Sequence, residues 1–197
     1  MPRSLHYGWD DKYRRDEGLE SYDRAMSGNE GKLWISAEVA EKIRAHGAET
    51  YPEECCGALL GRDATEGRAR EILGSMALLN RRENSPHMEH GMEKNSRRNR
   101  YEVSAQDVMQ ADKTAAEHEL DVIGWYHSHP DHPAKPSEYD RENAWPWYSY
   151  IIVSVQNGVP KEMTSWRLKN DRGRFEEERI QEVKEIKEVK EKKEAKE

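Results

Sequence analysis

The stretch DVIGWYHSHPDHPAKPSEYD, residues 121–140, decides how the rest of the chain is interpreted. It opens as an apolar, strand-like run and continues into side chains that bind metals. On an extended backbone His127 and His129 project from one face and Ser128 from the other, where we expect it to brace the following loop. That loop is long enough to bring Asp140 back to both imidazoles. Two histidines and one carboxylate leave the fourth position of a tetrahedral zinc ion open for water, which is the arrangement of a catalytic zinc site.

A helix-start pattern inside the same stretch supports this interpretation. Ser137 follows Pro136 and precedes Asp140 by three residues, as in a capped helix N-terminus. The pattern predicts that Asp140 lies in a first helical turn, where a ligand is held more firmly than on a free loop. A histidine pair alone would be weak support, because alternating histidines also occur on solvated strands. The two patterns together are far more specific.

The segment HSHPDHPAKPSEYD resembles the signature of the JAMM/MPN+ zinc metalloprotease family, prokaryotic type, and lacks none of its residues. The resemblance covers residues 33–179. It implies the MPN architecture, a curved mixed β-sheet or partial barrel flanked by helices, with zinc at its edge. From the residues alone, helices interspersed among short strands predict only a mixed α/β (α+β) fold.

A second motif, EECCGALLG at residues 53–61, reads as a buried strand with Glu54 at its mouth. Taken alone, Glu54 would be a partly exposed, paired carboxylate. The family resemblance includes a Glu-x-Cys-Gly stretch, matched by residues 54–57, and implies that Glu54 is the general base. Glu53 is the alternative, but it stands at the wrong offset from Gly57 and should face the other side of the strand. The resemblance likewise implies that Ser137 donates a hydrogen bond to the tetrahedral oxyanion.

The two cysteines, Cys55 and Cys56, are adjacent, a spacing unsuited to an ordinary structural disulfide. The chain has neither the roughly 18-residue apolar run of a membrane span nor a signal peptide, so we expect no membrane association and a cytoplasmic location. A nucleophilic Cys56 with His127 as base is disfavoured, since an apolar strand does not favour a thiolate. The net charge of −7 disfavours nucleic acid as a partner.

The charged ends of the chain lie outside the expected catalytic domain, residues 33–179. Residues 1–32 read as a charged extension that is partly disordered, docks on the domain, or serves as a partner-binding arm. Residues 175–197, FEEERIQEVKEIKEVKEKKEAKE, repeat a Glu-apolar-Lys triplet without a sustained apolar seam. They predict a solvated, frayed helix, and we expect the Glu/Lys-rich tail, residues 180–197, to be dispensable for stability.

Between these ends the sequence predicts short strands at residues 33–35, 70–79 and 101–103 and in IIVSV and TSWRLK. Helices should begin after Ser36 and Ser104, and Gly47 and Pro52 mark the stop of the first. Residues 78–100 read as a loop whose two histidines are not expected to form a further metal site. Trp145 and Trp147 are expected to pack in the core rather than line a pocket, and His132 is expected to have a loop role.

Two functions of different classes fit this pattern. The first is a zinc-dependent hydrolase, favoured because Glu54, His127, His129, Ser137 and Asp140 are all present. The second is a noncatalytic MPN scaffold.

The strand IIVSV begins eleven residues after Asp140, which leaves no room for the insertion that linkage-selective deubiquitinating members of the family carry. The compact form resembles prokaryotic members that process small ubiquitin-like or sulfur-carrier proteins, and implies cleavage after the C-terminal glycine of such a tail, with cysteine or lysine as the leaving group. Nothing in the sequence indicates an oligomeric state.

Overall fold

Seven strands close into one barrel within residues 32–65, 69–82, 100–184 and 186, the part of the chain that the computed structural model describes. The strands are β1 (Lys32–Ser36), β2 (Cys56–Arg62), β3 (Arg70–Leu78), β4 (Asp121–Pro130), β5 (Ser149–Gln156), β6 (Val159–Leu168) and β7 (Phe175–Val183). Their order around the barrel is β1-β3-β2-β4-β5-β6-β7. The strand that carries both histidines, β4, therefore lies between β2, its antiparallel neighbour, and β5, its parallel one.

Three helices accompany the strands in the described part of the chain: α1 (Ala37–Thr50), α2 (Ala105–Glu117) and α3 (Glu138–Asn143). Each begins at a serine whose hydroxyl accepts a main-chain N–H, so the predicted starts after Ser36, Ser104 and Ser137 are confirmed. The predicted mixed α/β (α+β) class is also confirmed, although the sheet closes fully instead of forming a partial barrel. No helix in these residues is both long and apolar enough to cross a bilayer.

Two clusters of buried side chains hold the helices against the barrel. In β2, Leu59 belongs to one cluster, whereas its neighbours Ala58 and Leu60 belong to the other, because successive strand residues face opposite sides. The first cluster takes in the buried face of α1, and the second takes in Ala111 and Ala115 of α2. These packed helix faces hold β2 and β4 in place, and β4 carries His127 and His129.

The C-terminal segment corrects the prediction of a frayed helix. Residues Phe175–Val183 form β7, which pairs antiparallel with β6 and parallel with β1, with Leu33 opposite Ile180. The unpaired edges of β1 and β6 satisfy the main-chain groups of this segment, and that tertiary pairing overrides its local helical propensity. Residues 187–197 lie outside the described residues, as do the expectations for residues 1–31.

One further prediction was wrong, whereas the end of α1 agrees with the sequence. Helix α1 passes Gly47, where a Cβ built on the glycine would lie 3.1 Å from Val155 of β5, and it ends at Thr50, two residues before Pro52. Residues 101–103 form no strand. Instead, the N–H of Glu102 donates to the Asn80 side chain and its carbonyl accepts from the N–H of Arg81, so a ladder partner is not needed.

Candidate metal centre

The side chains of His127, His129 and Asp140 converge at the end of β4. The two Nε2 atoms are 3.0 Å apart, and the Asp140 carboxylate lies 3.5 Å from His127 Nε2 and 3.9 Å from His129 Nε2. All three ligand atoms fall within 4.8 Å of one another. Two nitrogens bound to one tetrahedral zinc ion stand about 3.3 Å apart, given Zn–N bonds of about 2.0–2.1 Å. The donor set and its spacing therefore fit a zinc ion.

Contacts behind His129 and His127 set the orientation of the two rings. His129 Nδ1 lies 2.9 Å from the carbonyl oxygen of Pro133, so its proton belongs on Nδ1 and the Nε2 lone pair faces the metal position. The ring of His127 stacks on Tyr101, with centroids 4.7 Å apart. His127 Nδ1 is buried and has no hydrogen-bond partner in the part of the chain that is described. Packing, rather than a second hydrogen bond, orients this ligand.

Asp140 is held by the capping box that starts α3. The hydroxyl and the main-chain N–H of Ser137 both donate to Asp140 Oδ2 at 2.6 Å, while the N–H of Asp140 donates to Ser137 Oγ at 3.2 Å. Oδ1 is the oxygen at 3.5 Å from His127. Oδ2 is thus anchored by the helix cap and lies nearer His129, while Oδ1 is presented to His127, and Asp140 stands in the first helical turn as the sequence pattern predicted.

The electrostatics favour the ionisation states that bind a metal. Burial lowers the pKa of His127 to about 4 and also lowers the pKa of His129. Burial alone would raise the pKa of Asp140, but the attraction of His127 and the hydrogen bonds from Ser137 outweigh it, and the pKa is lowered. At neutral pH the site holds neutral imidazoles and an ionised carboxylate, the forms in which these groups bind metal ions.

Glu54 lies beside this group, two residues before β2, with 5% of its surface exposed. Burial raises its pKa well above the usual range, the negative charge of Asp140 adds to the shift, and Arg100 opposes it. A carboxylate with a raised pKa suits proton transfer near neutral pH. Glu53 does not line the adjoining cleft, which has a volume of about 370 Å³ and is lined by Glu54, Arg100, His129, His132, Pro133, Lys135, Ser137, Tyr139 and Asp140.

The other residues singled out from the sequence have structural roles or do not belong to the His-His-Asp group. Burial raises the pKa of the Cys56 thiol far above neutrality, and its Sγ lies 3.8 Å from the carbonyl of Leu78, which leaves no place for a thiolate nucleophile. His132 lines the cleft, and its main-chain carbonyl accepts a hydrogen bond from the Ser154 hydroxyl. The loop histidines His87 and His90 lie outside the described residues.

Trp145 and Trp147 do not pack in the core, contrary to expectation, and they do not line the cleft. Their exposed fractions are 53% and 40%, and their rings lie 5.1 Å apart on the surface. The short connection after α3 keeps them outside the barrel, where Tyr150 binds the main chain of Trp145 and Arg172 lies over its ring.

Sequence reasoning missed the residues that surround the centre from the loop between β3 and α2. Tyr101 supports His127, and Arg100 lies 4.6 Å above the ring of Tyr139 at the cleft. Asn80 binds the main chain on both sides of the site. These residues follow no periodic pattern in the sequence, since their positions depend on a loop returning to β4. The one signal in the sequence was that Tyr139, whose ring Arg100 contacts, is adjacent to Asp140 in α3.

The fold and the site define a closed α+β barrel with a buried His-His-Asp group suited to a metal ion. A family model described as prokaryotic homologs of the JAB domain matches residues 36–169, and the chain belongs to that family, within the JAMM/MPN+ proteins. It is 30% identical to the desampylase of Haloferax volcanii over 132 residues, 62% of this chain and 81% of that protein.

Two solved structures are similar. The solution structure of a protein from Salinibacter ruber has 41% sequence identity and a TM-score of 0.56, covering 76% of this chain and 90% of that one. The solution structure of a protein from Desulfitobacterium hafniense has 26% identity and a TM-score of 0.60, covering 78% of this chain and 94% of that one. Both structures share the overall architecture of this chain.

Proposed function

We propose that this protein is a zinc-dependent hydrolase that cleaves the amide or isopeptide bond after the C-terminal glycine of a small ubiquitin-like or sulfur-carrier protein. The observation that carries the proposal is the convergence of Glu54 with the buried His-His-Asp group at one cleft. Membership of the JAB family supports it, as does the similarity to a desampylase, an enzyme that removes a ubiquitin-like protein modification.

The His-His-Asp group and Glu54 have different roles in such a reaction. A zinc ion held by His127, His129 and Asp140 would lower the pKa of a bound water and polarise the scissile carbonyl. Glu54 accepts the proton of the attacking water and delivers it to the leaving amine, and its raised pKa serves both steps. Burial excludes bulk water from this carboxylate, so its proton passes between the reacting groups.

Ser137 lines the same cleft and is proposed to donate a hydrogen bond to the oxyanion. Its hydroxyl donates to Asp140 in the structure, so it must rotate toward the substrate while its lone pair continues to accept from the N–H of Asp140. The Ser137 main-chain N–H remains on Asp140 and keeps that ligand in place during the rotation. A donor of this kind contributes about 3 kcal/mol in other hydrolases.

The proposed substrate class follows from the compactness of the site. Only residues 144–148 separate α3 from β5, so no inserted element follows the ligand Asp140. A cleft of about 370 Å³ suits a narrow, glycine-rich tail better than a folded ubiquitin pair. We propose that the tail adds to the site in an extended form, in which main-chain hydrogen bonds provide affinity. The buried free thiols Cys55 and Cys56 fit action in the reducing cytoplasm.

The test is a substrate panel followed by product mass. The zinc-loaded protein is incubated with a ubiquitin-fold carrier ending in Gly-Cys, with the same carrier linked to a lysine side chain, and with polyubiquitin. We expect release of the carrier from one or both adducts and slow cleavage of polyubiquitin. Rapid polyubiquitin cleavage with both carrier adducts intact would refute the substrate class. No cleavage of any substrate by protein that holds zinc would support a noncatalytic scaffold instead.

A further inference from the structure

The proposed general base lies outside the hydrogen-bonded ladder of the barrel. Strand β2 begins at Cys56, whose partners are Leu78 on β3 and His127 on β4. Glu54 precedes this first paired residue by two positions, so no strand pairing fixes its peptide. A side chain used for proton transfer needs a fixed backbone, since a displacement of about 1 Å can cost about a hundredfold in rate.

The side chain of Asn80 takes the place of the missing ladder bond. Asn80 lies two residues beyond Leu78, so it stands opposite Glu54 if the β2–β3 register is continued. Its Nδ2 donates to the carbonyl of Glu54 at 3.1 Å and to the carbonyl of Arg100 at 3.0 Å. One amide group thereby joins the peptide of the general base to the peptide of the cation that lines the same cleft.

The acceptor half of the amide is used as fully as the donor half. Asn80 Oδ1 accepts from the N–H of Arg82 at 3.1 Å and from the N–H of Glu102 at 3.3 Å. A primary amide offers two donors and two acceptor lone pairs, and all four are satisfied by main-chain groups. With 7% of its surface exposed, Asn80 is a buried polar connector and not a surface residue.

A second contact holds the same segment from the other neighbouring strand. The N–H of Cys55, the residue after Glu54, donates to Ser128 Oγ at 2.9 Å, and the N–H of Ser128 donates to the Cys55 carbonyl at 3.2 Å. Asn80 thus binds the segment from the β3 side and Ser128 from the β4 side. Since Ser128 stands between the two metal ligands, Asn80 offers the cleaner test, because its replacement leaves the strand of ligands intact.

We infer that Asn80 is a positioning residue for Glu54: its two amide donors fix the peptides of Glu54 and Arg100 at the cleft. The inference rests on the proposed function, in which Glu54 transfers the proton. Neither an aspartate nor an alanine supplies these two donors. Asn80→Asp keeps the shape and the acceptor oxygen, but it replaces the donor group with a second oxygen and adds a charge when ionised, so the uncharged Asn80→Ser variant serves as its comparison.

The test compares Asn80→Asp with a matched control, Ser165→Ala. Ser165 is fully buried on β6, and its hydroxyl donates to Glu178 at 2.9 Å, so the control also removes a buried hydrogen bond but lies on the far side of the barrel from Glu54. For each variant kcat, KM, zinc content and melting temperature are measured with a carrier adduct. Asn80→Ser, which retains one hydroxyl donor, is measured in the same way in case Asn80→Asp does not fold.

We expect Asn80→Asp to lower kcat by at least about tenfold, with zinc content retained and KM changed less than kcat, while Ser165→Ala keeps its kcat. In a Glu54→Gln background, Asn80→Asp should cause no further loss, because its effect passes through Glu54. A wild-type kcat in Asn80→Asp, or an equal loss in the Glu54→Gln background, would overturn the inference. If wild type and Glu54→Gln turn over equally, it is the proposed function that has failed.

Discussion

Removal of the last part of β7 tests the finding that the C-terminal segment closes the barrel. A chain ending at Ile180 loses three residue pairs between β7 and β1, whereas a chain ending at Lys184 keeps all of them. The two truncations differ by residues 181–184, and both remove residues 185–197. The sequence-based expectation was that removal after Ile180 leaves stability unchanged, so the two truncated chains distinguish a strand from a solvated helix.

The size of the effect follows from the lost pairs. Each parallel pair contributes one ladder hydrogen bond of about 1 kcal/mol, which gives a loss of about 3 kcal/mol in the free energy of unfolding. The exposed ion pair of Arg44 with Glu182 is lost as well and adds at most about 1 kcal/mol. For a domain of this size, 1 kcal/mol corresponds to about 2–4 °C in melting temperature, so the expected drop is roughly 6–12 °C.

The assay is thermal unfolding of both truncated chains and the full chain, followed by circular dichroism at one protein concentration. We expect the chain ending at Lys184 to match the full chain within about 2 °C, since it loses no described pairing of β7. The chain ending at Ile180 should also associate more readily, because it exposes part of the β1 edge. Equal melting temperatures for the two truncations would show that β7 does not close the barrel.

Two further predictions concern the metal centre. His129→Ala or Asp140→Ala should abolish zinc binding, measured by elemental analysis. Glu54→Gln should retain about one zinc per chain and lose at least about a hundredfold in turnover. Full zinc occupancy in both His129→Ala and Asp140→Ala would contradict the assignment of the ligands. Without metal, Glu54→Gln should have a higher melting temperature than wild type at pH 8 and the same melting temperature near pH 4. The reason is that a carboxyl whose folded pKa is raised costs stability above its unfolded pKa of about 4.3. A difference in melting temperature that stays the same from pH 4 to pH 8 would contradict the raised pKa.

What the sequence predicted well was encoded within a few neighbouring residues. The three serine caps and the placement of Asp140 in a first helical turn need only the local hydrogen bonds of a capping box. The two histidines share a face because a strand alternates, which is again a local property. The existence and approximate positions of β2, β3 and β5, though not their bounds, followed from apolar runs between turn residues.

What the sequence did not predict depends on contacts between distant segments. The helical composition of Phe175–Val183 could not show that β1 and β6 would offer it two open edges. The Tyr101 stack on His127 and the fourfold use of Asn80 require a loop to return across the barrel. The expectation of buried Trp145 and Trp147 relied on hydrophobicity alone, which does not say whether a neighbouring element is present to cover them.

The buried carboxylates give this site a stability cost that a bound metal ion would offset. Burial raises the pKa of Glu54, and repulsion by the negative charge of Asp140 raises it further. A divalent ion at the His-His-Asp group would replace that repulsion with attraction, so binding and folding are coupled through the same two carboxylates. Asn80 donates to the carbonyl of Glu54, and Ser128 Oγ accepts from the N–H of the next residue, Cys55. We expect this support outside the ladder to keep an otherwise repelled carboxylate at the cleft.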